Sequence, residues 1–248
     1  MINPTTQGVT IIVDELGTEY HSINDWGLAI GNNDYIGTPV LEEHYIEVPG
    51  ANKLLDVSQA LTGRRTYKSR PINIKFGAVN KAVNWDLVIS TFRNRIDGRV
   101  VRLIFDNDET HYWTGRCQIT DFDRIRTLGE FTLSLPYADA FKYDIKSNID
   151  PWLWDPFDFE NDVVPEEPVI DISGTKTIIV PSGNMYTVPT FTVNNMTSPI
   201  TMSVNNRVYP LVSGYNYFPT LMVNGDTETT ITFNGEGQVI MEYRGGSL

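Results

Sequence analysis

Hydrophobic and polar positions alternate along much of this chain, in short runs closed by turn residues. In Pro71-Ile72-Asn73-Ile74-Lys75-Phe76-Gly77, Ile72, Ile74 and Phe76 share one face, the period-two pattern of a half-buried strand. Gly8 to Val13 reads as a strand leading into the turn Asp14-Glu15-Leu16-Gly17. Arg99 to Phe105 runs into Asp106-Asn107-Asp108-Glu109, and His111 to Ile119 returns, which predicts a hairpin. Glu130 to Leu135 alternates again.

One segment has a different period. Trp85, Val88, Ile89, Phe92 and Ile96 fall at helical spacing, with Asp86, Arg93 and Arg95 off that face, so a helix is predicted over about 80–97. Asn80 or Asn84 is placed to cap its start, and Gly98 to accept the left-handed conformation that ends it.

After Tyr143 the texture changes. Residues 144–168 hold Pro151, Pro156, Pro165 and Pro168, the aromatics Trp152, Trp154, Phe157 and Phe159, and a run of carboxylates from Asp150 to Glu167. This predicts an irregular junction whose aromatics pack on something. From Val169 onward the signal is nearly all strand. Asn205-Asn206 marks one hairpin turn, and Asn234-Gly235-Glu236-Gly237 is read as the turn of a terminal hairpin between Thr229–Phe233 and Gln238–Tyr243. The expectation is a mainly β chain: an N-terminal β-sandwich-type domain with one helix (1–143), the junction (144–168), and a C-terminal β-sandwich (169–248).

Charge and composition narrow the function. The net charge is −12, and it is uneven: residues 1–146 carry 16 basic and 19 acidic side chains, 147–248 only 3 and 12. A surface of that sign does not grip nucleic acid through its phosphates. No stretch reaches the ~20 apolar residues of a membrane helix, and Met1 to Thr10 does not read as a signal peptide, so a reducing cytoplasm is the expected site of synthesis. The single cysteine, Cys117, is expected to be a half-buried strand residue. No phosphate loop, nucleophile elbow or zinc helix occurs, and Asp106-Asn107-Asp108-Glu109 lacks the spacing of a calcium loop. No catalysis, metal or cofactor is expected.

Two candidate surfaces remain. Arg64, Arg65, Lys68 and Arg70 form the one basic patch, either a subunit contact that meets a neighbour's acidic surface or a solvated charged loop. Trp152 and Trp154, with Tyr215 or Tyr217, would be stacking platforms if the chain were a carbohydrate-binding module for a bacterial cell surface.

The first half also resembles a known family. Val48-Pro49-Gly50 followed by Leu55-Asp56-Val57-Ser58, then Tyr67 to Phe76, Trp85, Ile96-Asp97-Gly98-Arg99, Phe105 to Asp108 and Tyr112-Trp113-Thr114-Gly115-Arg116 occur in the order found in distal tail proteins of long-tailed bacterial viruses, over roughly residues 8–137. The resemblance implies a non-enzymatic virion protein at the tail tip, forming a homohexameric ring beneath the tail-tube protein. Such a ring holds the tip, tail-associated or receptor-binding proteins and passes DNA without binding it specifically. It also implies that the C-terminal sandwich is galectin-like; 169–248 is short for such a sandwich, so part of 144–168 is expected to add a strand and the domain to begin as early as about 144.

Overall fold

The computed structural model describes residues 6–31, 35–60, 62–79, 83–125, 128–150 and 169–248. Trp152, Trp154 and most of the expected junction lie outside them. The chain divides into two compact units, 1–142 and 143–248.

The N-terminal unit is built from two antiparallel sheets and a helix. In one sheet the strands Asp108–Arg116, Val100–Phe105, Val9–Val13 and Thr18–His21 lie side by side in that order. In the other the order is Gln118–Ile125, Leu128–Ala138, Arg70–Ala78 and Leu28–Ile30. Their inward positions make one core: Val9, Ile11, Leu103 and Phe105 from the first sheet with Ile72, Ile74, Phe76, Phe131 and Leu133 from the second.

The helix covers Trp85–Arg95, shorter than the pattern predicted at its start. Asn84 is its cap, the side-chain oxygen accepting from the Leu87 amide at 3.2 Å. Trp85, Val88, Ile89 and Phe92 are its buried stripe, and the Phe92 ring sits 4.4 Å from Trp26 and 4.8 Å from Phe131. A single helical turn, Ser22–Trp26, is added; His21 caps it through Nδ1, which accepts from the Asn24 amide. Nothing in the hydrophobic period marks so short an element.

The hairpin at Asp106 forms, but the return strand breaks at Cys117, where the chain passes from one sheet to the other. Cys117 is therefore fully buried rather than half-buried, its Sγ donating to the Ile96 carbonyl at 2.9 Å. Burial, helped by the nearby Asp97 charge, pushes its thiol up to about 12.

The C-terminal unit corrects the expected terminal hairpin. Thr229–Glu242 is one continuous strand, paired along its length with Val169–Val180. Thr190–Val204 is likewise one strand and pairs on its other side with Arg207–Leu211 and Gly214–Tyr217. Asn205 and Asn206, at φ 49° and 62°, do form the tight turn.

This single sheet folds back on itself. Phe191 lies opposite Met241 and Met202 opposite Phe233, so eight residues, or about 26 Å of extended strand, separate the two levels. Yet the Phe191 and Phe233 rings are 6.4 Å apart. The bend runs across every strand at one level. Gly174 (φ 78°) faces Gly235 (φ 136°), and Asn195 (φ 51°) sits where the register shifts. A Cβ on Gly235 would lie 2.5 Å from the Pro199 carbonyl, so only glycine permits the approach. The edge strand turns the same corner at Val212 and Ser213. There the buried Asn216 side chain accepts from the Val212 amide and donates to the carbonyls of Val212 and Gly214 at 2.8 and 2.9 Å.

Candidate assembly surface

Between Gly37 and Arg70 the chain leaves the N-terminal core as an arm. Its lower ladder pairs Val40–Leu41 with Tyr67–Lys68, its upper ladder Tyr45–Ile46 with Leu55–Asp56. At the tip Pro49 sets φ and Gly50 takes φ 83°, with the Ala51 amide donating to the Val48 carbonyl at 3.0 Å.

Arg70 fixes both feet of this arm. Its guanidinium donates from Nε to the Ala140 carbonyl at 2.9 Å and from Nη1 to the Gly37 carbonyl at 3.3 Å, and it lies 4.4 Å over the Trp113 ring. With only 5% of its surface exposed, Arg70 is not available as a subunit contact. The signal was present: Arg70 shares the even phase of Ile72, Ile74 and Phe76, the buried face. Arg65 and Lys68 are exposed and Arg64 is half-buried, so the basic patch at the arm's base consists of those three.

Farther out the arm has no core. Every residue from 43 to 56 is exposed, and Tyr45, Ile46, Leu54 and Leu55 each leave about half their surface in solvent. Val48, Pro49 and Leu54, with Glu47, Asn52 and Lys53, line a hollow at the tip. Charge along the arm is sorted. Residues 42–56 hold Glu42, Glu43, Glu47 and Asp56 against Lys53, whereas 57–70 hold four basic residues and no acid. The Glu43 and Asp56 carboxylates crowd the Tyr45 phenol and raise its pKa.

A second polar cluster closes the end of this unit. Asp108 accepts from Lys142 Nζ at 2.6 Å and pairs with His111 Nδ1 at 2.7 Å. Burial alone would raise the Asp108 pKa, but the hydrogen bonds from His111 and Lys142 outweigh it and hold the carboxyl well below the usual carboxylate range. In the C-terminal unit Tyr215 and Tyr217 stand exposed on one face of the edge strand, opposite Thr192 and Thr190. Among the described residues no three His, Cys, Asp or Glu side chains gather as a metal site, and no helix is long and apolar enough to cross a membrane.

The architecture is a two-sheet unit with one core helix followed by a unit made of one folded sheet. A solved structure with this fold is that of SPP1 Dit (gp 19.1), described as a paradigm of the hub adsorption apparatus in phages that infect Gram-positive hosts. The two superpose with a TM-score of 0.58 over 95% of this chain and 98% of that one, at 11% identity. No family model matches this chain, and no curated protein matches it in sequence.

Proposed function

We propose that this protein is a structural hub of a phage tail tip: a virion component, not an enzyme, that joins the tail tube to the adsorption apparatus. The observation that carries the reading is the likeness to SPP1 Dit across both units rather than one. In this reading 1–143 forms the ring, 144–168 is the junction, and 169–248 is the galectin-like module that faces tip and receptor-binding proteins. The ring is a homohexamer made in the host cytoplasm. Its acidic balance suits a channel through which DNA slides without sticking, since like charge repels the phosphates. Arg64, Arg65 and Lys68 are subunit contacts.

Light scattering after size exclusion, over a range of concentrations and with the tail-tube protein added, tests the reading. A closed oligomer of about six subunits, or its formation on the tube protein, is expected. A strict monomer that ignores the tube protein overturns it.

A second reading, a carbohydrate-binding module, is favoured by one feature, the adjacent exposed Tyr215 and Tyr217 beside two threonines. Binding to host cell walls that Tyr215→Ala abolishes would support it. Trp152 and Trp154 belong to the same test.

A further inference from the structure

We propose that the arm 38–69 docks on a second copy of this chain, head to tail. Its acidic, apolar outer part lies over the basic foot of the neighbour's arm. The proposal rests on the ring reading and names the contact that would close the ring.

Three observations carry it. The first is the arm's missing core. A two-stranded ribbon is marginal in water unless a third strand or another layer covers it. The arm's two short ladders bring no side chain between 43 and 56 out of solvent, while Tyr45, Ile46, Val48, Leu54 and Leu55 stay exposed. Isolated exposed apolar residues are ordinary, but this many within one small excursion mark a surface that is covered in use.

The second is the sorting of charge. Glu43, Glu47 and Asp56 sit on the outer part, and Arg64, Arg65 and Lys68 on the inner part, so one arm carries both halves of a complementary contact. Two arms set against each other tip to tip would oppose like charge. A tip set on the next copy's foot opposes unlike charge. Such a contact uses two different patches on each copy, and contacts of that kind close into rings.

The third is rigidity at the foot. Arg70 holds Gly37 and Ala140 together and is itself stacked on Trp113, so the arm leaves the core in a fixed direction. A preset arm loses less freedom when it docks.

The test is charge exchange between copies. One variant carries Glu43→Lys and Glu47→Lys, the other Arg65→Glu and Lys68→Glu; all four positions are exposed, and circular dichroism checks that both variants fold. Each alone is expected to assemble at least ~100-fold more weakly than the wild type. Mixed together, the two variants set reversed tips on wild-type feet in like charge but on reversed feet in unlike charge, so alternating rings of the two are expected; a third variant with all four changes is expected to assemble with itself and not with the wild type. If single-region variants assemble like the wild type, the arm contact is overturned while the hub reading stands. If the wild type stays monomeric until the tube protein is added, and cross-links place the arm on that protein, the contact between copies is overturned and the hub reading stands. If no variant or partner changes a monomeric state, both fall.

Discussion

The two units build sandwiches in different ways. The N-terminal unit stacks two separate sheets and seals them with a helix, so its core is fed from many elements: Val9, Leu103, Phe76, Phe92 and Phe131 come from five. The C-terminal unit folds one sheet across a corner, so each long strand supplies both layers. The first solution spreads its dependence over packing. The second concentrates it on a few backbone positions where φ is positive and strands approach closely. A stacked core is injured by lost volume and a folded sheet by an added Cβ.

Substitutions at matched positions break or sharpen that contrast, and hydrogen exchange reads each unit separately. Phe92→Ala should cost the N-terminal unit about 3–5 kcal/mol, since the ring is fully buried among Trp26, Phe76 and Phe131. Protection in the C-terminal unit should be unchanged. Gly235→Ala should cost the C-terminal unit about 3 kcal/mol, because the new methyl meets the Pro199 carbonyl and the Ile200 Cα. Gly174→Ala, across the ladder at φ 78° but with open space around it, should cost only about 1–2 kcal/mol. Equal losses at the two glycines would show that conformation alone, not close approach, makes the corner. Asn84→Ala should remove about 1 kcal/mol with the helix cap.

A pH titration adds a smaller effect confined to the N-terminal unit. The folded-state pKa of Asp108 is depressed, so its contribution is complete above its unfolded value near ~4 and is lost as pH falls through the folded one. Asp108→Asn should flatten the acid limb of the stability profile of the N-terminal unit only. A limb of unchanged slope would remove Asp108 from the account.

Much of the architecture was legible in the chain. The alternation of Ile72, Ile74 and Phe76, the helical stripe from Trp85 to Phe92 and the Asn205-Asn206 turn are local signals with local causes. The corner was not, because a tight turn and a bent strand ask the same thing of Asn234-Gly235-Glu236-Gly237: residues that accept positive φ. What separates them is the Val169–Val180 strand running alongside, far off in sequence. At the assembly surface the basic run is visible in the sequence, and Arg70 belongs to it by charge while its strand phase puts it inside. The arm's outer part shows no period to read, since no face of it is buried in its own chain.

The folded sheet also dictates an order of events during synthesis. Thr190–Val204, Arg207–Leu211 and Gly214–Tyr217 are neighbours in sequence and pair soon after they emerge. Val169–Val180 emerges before all of them, yet its partner, Thr229–Glu242, comes last. Its long row of unpaired amides and carbonyls must wait for nearly the whole unit to be made. That interval is when the nascent chain is most open to pairing with the wrong strand.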